Sequence, residues 1–442
     1  MDRKLICSIL NSEMELATGC TEPAAIALTA ATARQHLKGG EISELTVRAS
    51  VNIYKNAMAA GIPGTGFTGV NYAAALGAVG GKVENQLRVV DEATPEQIQA
   101  AVELVQSGKV KMDISDSAEK LYIDIELKST DGHQARAVIA STHTNVVYVE
   151  EDGAVLANHE IGTIVDGISA ETIAKTLSIK TIYEFVETLD RKTDDLHMID
   201  QVIKVNRRIS EVGAAGDYGL NIGHNIKRAQ KAGYMGNDLV ANAMADTASG
   251  ATARMAGANV PVVTNSGSGN QGITATVPII SAAKTLDIDE DKMFRAVTLS
   301  NLVSIHIHSR FGLLSGLCGA TVAATGASCG IVYLLGGNLE QVGYAVNNML
   351  GDVAGMLCDG AKANCALKIS TCVNTAFQCA FMALHNEVVK ASDGIVETDP
   401  EKTIMNFTRL GNEGSPIMDN LVLEIMMDKK NSPIGSPAAK SV

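Results

Sequence analysis

The sequence predicts an α+β protein: a large all-helical domain with a smaller inserted α/β domain that contains a mostly antiparallel sheet. Three observations predict it. Alternation with a period of two is confined to residues 40–160 or so. Asp131-Gly132 and Asp152-Gly153 fall between the alternating runs, as hairpin turns do. From about residue 165 to 425 the strand signal fades and long helical windows replace it.

In chain order, residues 2–16 read as a helix that breaks at Thr18-Gly19. A second helix runs from Pro23 to about Leu37, with Thr21 or Glu22 as its cap and Pro23 tolerated in the first turn. Gly39-Gly40 ends it. Residues 45–53 alternate like a half-buried strand, and 85–90 are a second strand candidate. Thr94-Pro-Glu-Gln97 is a capping box with proline at the first helical position, opening a helix to about Ser107. Residues 110–114, 121–127, 135–141 and 145–150 are further strands. Helices are then expected over 170–189, 200–212, 236–255, 289–302, 340–356 and 366–389. The resulting division is 1–39 as N-terminal helices joining the large domain, 40–165 as the α/β domain, 166–427 as the helical domain, and 428–442 as a loose tail.

The chain has 442 residues, 46% of them hydrophobic, so a large core needs no disulfide staples. Trp is absent, aromatics are 4% and Gly numbers 41, so the core is built from small aliphatic residues and helices can approach closely. The net charge of −13 argues against nucleic-acid and anionic-membrane partners. The start, Met-Asp-Arg-Lys-Leu, has no apolar signal region, and eight cysteines without one imply a reducing, cytoplasmic setting with free or metal-bound thiols. The stretches 255–284 and 311–339 are nearly uncharged, and the second holds the small-residue pairs Gly312/Gly316 and Gly326/Gly330. Gly, Ser, Thr and Asn interrupt both, so buried helices and loops around a site explain them better than membrane spans.

The chemistry-bearing residues are cysteines. Cys358, Cys365, Cys372 and Cys379 recur every seven residues. Cys372 and Cys379 read as core positions of one helix. On a straight helix Cys358 and Cys365 would stand roughly 10.5 Å apart along the axis, but Asp359-Gly360 interrupts the segment and can fold it back. Cys318 has Gly316 and Gly319 beside it, which permits close approach of a cofactor. Cys329 competes with Cys318 on spacing, and a three-cysteine zinc site competes with a cluster. His306 and His308 alternate with Ile and read as a partly buried wall rather than metal ligands. Cys20, just before a helix N-terminus, is placed to ionise easily and act as base or nucleophile.

The loop Thr264–Gly272 satisfies G-x-G-x-x-G at Gly267, Gly269 and Gly272. The second strand of a dinucleotide fold is missing, which rejects NAD. A Gly-rich loop feeding a helix N-terminus also suits a carboxylate, which fits an amino-acid substrate and makes Asn265, Ser266, Gly267, Ser268, Gly269 and Asn270 candidate contacts. Lys55 and Asn56, ahead of Gly61-Ile-Pro-Gly-Thr-Gly66, are further candidates for reaching it.

Taken together, Ala17-Thr-Gly-Cys-Thr-Glu-Pro-Ala-Ala25, Lys55-Asn-Ala-Met58, Gly61–Gly66, the stretch 260–272 and the three cysteines resemble the L-cysteine desulfidase family, relatives of the iron–sulfur L-serine dehydratases. The spacings of forty residues from Cys318 to Cys358 and seven from Cys358 to Cys365 are those expected of the desulfidases. The resemblance implies a [4Fe–4S] cluster held by Cys318, Cys358 and Cys365, with one iron free for substrate, and Cys20 as the catalytic thiolate. It makes the helical part the catalytic domain. It implies β-elimination of L-cysteine to pyruvate, ammonia and hydrogen sulfide. An iron–sulfur L-serine dehydratase and a non-catalytic small-molecule-binding relative are the alternatives. The dehydratases have a longer gap between their last two ligands, which favours cysteine. The expected partner is a small amino-acid substrate, with neither nucleic acid nor membrane and with a homodimer allowed.

Overall fold

The computed structural model describes residues 1–162, 167–311 and 314–431. The expected boundary at 165/166, Gly312 of the first glycine pair, and the tail beyond 431 lie outside the described residues. In the N-terminal part, helix α1 (Arg3–Ser12) leads to strand β1 (Leu16–Thr18), helix α2 (Thr21–His36), strand β2 (Ile42–Ala49), and helices α3 (Val51–Ala57) and α4 (Val70–Gly80). A 3-10 turn at Val83–Arg88, helix α5 (Pro95–Gln106) and strands β3 (Val110–Ile114), β4 (Tyr122–Ser129), β5 (Gln134–Ala140), β6 (Val146–Glu151) and β7 (Ala154–Asn158) follow.

The sheet order is β3-β2-β4-β5-β6-β7. Only the β2–β3 pair is parallel; the others are antiparallel. Every second residue of the central strands faces the core: Leu45, Val47 and Ala49, then Ile123, Ile125 and Leu127, then Ala135, Ala137 and Ile139, all buried. Helices α2 and α4 cover that face and share its hydrophobic core. Their approach depends on Gly77, where an added Cβ would lie 2.2 Å from the carbonyl oxygen of Ala27. Residues 85–90, expected as a strand, are instead the end of the 3-10 turn and the two turn residues after it. Residues 2–16 are not one helix, because α1 stops at Ser12 and the following residues pair in β1.

Among the described residues, the rest of the chain has helices and one short strand. It runs α6 (Ala170–Thr176), α7 (Ile179–Glu187), α8 (His197–Ala215), α9 (Ile222–Lys231), α10 (Leu239–Met255), strand β8 (Pro261–Val263), α11 (Gly269–Leu286), α12 (Glu290–His308), α13 (Gly319–Leu334), α14 (Leu339–Asp352), α15 (Cys365–Leu384) and α16 (Pro400–Asn431). The single helix expected over 170–189 is split, because Ser178 caps α7 by accepting from the Thr181 amide. Helices α7, α12, α13, α14 and α15 bury one continuous core around Phe185, Phe294 and Phe377, and α1 packs into it through Ile6, Ile9 and Leu10. No helix among the described residues is long and apolar enough to cross a membrane. The two nearly uncharged stretches instead contain β8 with α11, and α13, and both helices are mostly buried.

Candidate active site

The site is assembled where α2 and α3 meet the helical body. Strand β1 pairs antiparallel with β8, Leu16 opposite Val263 and Thr18 opposite Pro261. This brings the segment before α2 beside the end of α10 and the loop before α11. Gly19 turns the chain with φ +70, and a Cβ there would sit 2.4 Å from Cγ of Pro63, so the 61–66 loop packs directly on it. Cys20 is the N-cap of α2, a position expected for Thr21 or Glu22, and its thiol makes no capping hydrogen bond.

Cys318 is the N-cap of α13. Its amide donates to the Met356 carbonyl at 2.8 Å, and the Cys358 amide donates to the Gly316 carbonyl at 2.8 Å. The antiparallel Leu317–Leu357 bridge thus sets Cys318 and Cys358 diagonally across from one another. The chain then folds back at Gly360, whose φ is +93 and where a Cβ would lie 2.6 Å from the Lys55 carbonyl oxygen. Cys365 opens α15 and its Sγ lies 3.6 Å from the Gly360 carbonyl. Asp359 pairs with Lys362 and Lys368, which pins the turn. Cys318, Cys358, Cys365 and Cys20 all line one cavity of about 100 Å³. Cys329, the competitor on spacing, is fully buried against Val342, away from that cavity. Cys372 and Cys379 lie in the helical core, where burial pushes both thiols up to about 12.

Loss of water and the neighbouring Cys358 thiol hold Cys318 well above the ordinary thiol range, and burial raises Cys365 too. Thiols that face one another in this way resist ionising unless a cation takes up their charge. Three thiols lining one cavity are a donor set of the kind that holds a thiolate-bound metal group. No three His, Cys, Asp or Glu side chains among the described residues converge on a single ion. In a cubane each thiolate binds a different iron and needs no common ion. Cys20 departs from expectation. Burial pushes its thiol up to about 11, Arg254 opposes that, and Glu22 and Cys365 add to it. The helix N-terminus does not win because the thiol is 2% exposed and desolvation dominates.

The predicted loop divides into two roles. Ser268 caps α11 and lines the cavity with Asn270. Gly269 lies against Arg254, where a Cβ would meet Nε at 2.3 Å. Gly267 faces a second cavity of about 100 Å³. Asn265 instead donates to Asn301 at 3.0 Å, and Ser266 donates to Asn265 at 3.2 Å, so both shape the loop from behind. Asn56 lines both cavities and donates to Glu22 Oε1 at 2.9 Å. Lys55 does not point into either. It is 1% exposed, bound to Asp419 of α16 at 2.5 Å and to the Cys358 carbonyl at 3.3 Å, so it holds the cysteine turn in place.

Four further residues, not among the sequence candidates, line the cavities: Glu22, within the 17–25 motif, Gln271, within the glycine-rich loop, and His143 and Arg254, which carried no functional sign in the sequence. The second cavity holds His143 and His308 beside Glu22, Asn56, Ser268, Gln271 and Cys358. Burial and the nearby His143 push His308 down to about 4. His306, its expected companion on the wall, is in the core and pairs with Glu401 at 2.8 Å.

The model of the serine dehydratase alpha chain matches residues 84–424. The chain belongs to the serine dehydratase alpha-chain family. The matched span contains Cys318, Cys358 and Cys365 but starts after Cys20, Lys55 and Asn56. Relatives cover that region too. A UPF0597 protein of Clostridium perfringens is 41% identical over 431 residues, 97% of this chain and 99% of its own length. One from Oleidesulfovibrio alaskensis is 41% identical over 422 residues, 96% of this chain and 97% of its own. One from Porphyromonas gingivalis is 40% identical over 429 residues, 96% and 98%. Their shared name states no activity, so family membership reaches as far as the dehydratases and not to the desulfidases.

Proposed function

We propose that the protein is a β-eliminating lyase that converts L-cysteine to pyruvate, ammonia and hydrogen sulfide. One observation carries the reading: three thiols from two distant segments and a fourth from the start of α2 line a single cavity beside a capped helix N-terminus. Cys318, Cys358 and Cys365 would hold a [4Fe–4S] cluster. Bound there, such a cluster supplies a Lewis-acidic, thiophilic iron able to stabilise a leaving hydrosulfide.

The remaining work falls to side chains. The Ser268–Asn270 turn at the start of α11 receives the carboxylate. Cys20 Sγ is the candidate base for the α-proton and must act as the thiolate, so its own proton has to leave the site before the step; burial, which pushes the thiol up to about 11, opposes that loss and Arg254 favours it. Released aminoacrylate then hydrolyses to pyruvate and ammonia.

The test is anaerobic reconstitution with iron and sulfide, followed by assay of both products. L-Cysteine is expected to yield sulfide and pyruvate in equal amounts, and Cys318→Ala to abolish both. Equal sulfide release by wild type and Cys318→Ala would overturn the reading. A second reading, L-serine dehydration at the same site, is favoured by the family name. It predicts more pyruvate from L-serine than from L-cysteine.

A further inference from the structure

Arg254 ends α10 with its guanidinium laid across Gly269, the first residue of α11. It is 4% exposed, no carboxylate among the described residues pairs with it, and its Nε has no hydrogen-bond partner. Its Nη1 has only the Met255 sulfur at 3.6 Å. Burying a guanidinium without an anion costs several kcal/mol. The group lines the thiol-bearing cavity, so the N–H groups it leaves unspent are available to a ligand there. A guanidinium fork matches a carboxylate.

The opposite need appears on α2 and α3. Glu22 is 9% exposed. Its Oε2 accepts from Thr21 at 3.1 Å and its Oε1 from Asn56 at 2.9 Å. Because the Asn56 amide nitrogen is committed to Glu22, its Oδ1 is fixed as the outward acceptor, and that oxygen is buried with no donor. Gln271 Oε1 is also buried and unpartnered. All three residues line both cavities. The lining of one cavity therefore presents an unmet cationic donor together with an anion and two unmet acceptors. A molecule carrying one carboxylate and one ammonium satisfies both sets.

We propose that Arg254 binds the α-carboxylate of the substrate and that Glu22, with Asn56 and Gln271, binds its α-ammonium, so the pocket selects zwitterionic α-amino acids. This rests on the reading that the cavity takes an amino acid, but not on which bond is broken. A 2-hydroxy acid leaves the acceptors unmet, and an amino amide leaves the guanidinium unmet. Hydrogen bonds to charged groups contribute about 1.5–3 kcal/mol, so either deficiency costs roughly ten- to a hundredfold in affinity.

The test uses the full chain, with and without reconstituted cluster, and three unreactive probes: L-alanine, L-lactate and L-alaninamide. Binding is read by titration calorimetry and thermal shift. Wild type is expected to bind L-alanine at least tenfold more tightly than the other two. Arg254→Gln is expected to lose that margin over L-alaninamide while keeping L-alaninamide binding at the wild-type level. Glu22→Gln is expected to lose the margin over L-lactate while keeping L-lactate binding. Arg254→Lys, which keeps the charge but not the fork, should fall between wild type and Arg254→Gln. No L-alanine binding by wild type, or L-alanine affinity within twofold of wild type in both glutamine variants, would overturn the assignment. Equal loss of all three probes in either variant would do so too, since a purely structural or thiol-directed role predicts that. Wild type that discriminates as stated but makes neither sulfide nor pyruvate would sink the lyase reading and leave this one standing.

Discussion

Glu13 ties the end of α1 to the glycine-rich loop, since its main-chain oxygen accepts from the Ser266 amide at 2.8 Å. Its side chain is half-buried. Burial pushes the carboxyl from its ordinary 4.5 up to about 7, with the Ser266 hydroxyl opposing and Glu15 adding to the rise. The sign follows from proton counting. Between about pH 4.5 and 7 the folded chain holds a proton that the unfolded chain has released, so stability falls as pH rises through that window and levels off above it. Glu13→Gln removes the effect. The stability difference between this variant and wild type should grow by about 3 kcal/mol from pH 4 to pH 8 in urea unfolding. A flat difference would mean that the carboxyl ionises normally. Residues of this kind mark the limit of what the sequence disclosed about the site. Cys20 and the three clustered cysteines stood out because rare side chains sit among glycines. Arg254 and His143 did not, because a lone Arg at a helix end or a lone His between strands has no spacing to read. Lys55 stood out for the wrong reason: nothing local reveals that Asp419, far along the chain, claims its charge.

Elements with a local signature were legible and those created by packing were not. Thr94 and Gln97 form the reciprocal capping box that their spacing announces. The strands flanking Asp131-Gly132 and Asp152-Gly153 pair as the alternation requires. By contrast, β1 and β8 are three residues each and exist only through each other. Helix α2 is buried on all sides from Thr21 to Ala33, so it shows almost no amphipathic pattern. Its seat on α4 gives an element-scale prediction. Alanine is favoured over glycine inside a helix by about 1 kcal/mol. At Gly80 the added Cβ would meet the Gln97 side chain, which the capping box holds by its Oε1, so Gly80→Ala should cost no more than that box, about 1 kcal/mol. At Gly77 it would strike the Ala27 backbone at 2.2 Å, so Gly77→Ala should cost about 1–3 kcal/mol net. Urea midpoints that move equally for the two variants would show that α2 can shift freely, and Cys20 and Glu22 with it.

At the scale of the molecule, the site lies on a seam. Cys20, Glu22 and Asn56 come from helices on the sheet side, whereas Arg254 and the three cysteines come from the helical body. Helix α16 crosses that seam and latches it. Asp419 accepts from Lys55 at 2.5 Å and from Asn52 at 2.7 Å, both on α3, and Ser415 of the same helix accepts from the Gly316 amide at 2.8 Å, next to Cys318. Removing one partner of a buried ion pair strands the other charge, which costs about 3–5 kcal/mol, whereas replacing both with apolar residues is often neutral. Lys55→Met should therefore lower stability by about that amount, and Lys55→Met with Asp419→Leu should restore most of it. Iron should behave differently. The Lys55 ammonium also holds the Cys358 carbonyl, and that contact is lost in both variants. Iron retained after anaerobic reconstitution and desalting should thus fall in the single and the double variant alike, while the urea midpoint recovers only in the double. Recovery of both together would reduce Lys55 to a packing group; recovery of stability alone would make it the residue that couples closure of the seam to the geometry of the cysteine turn.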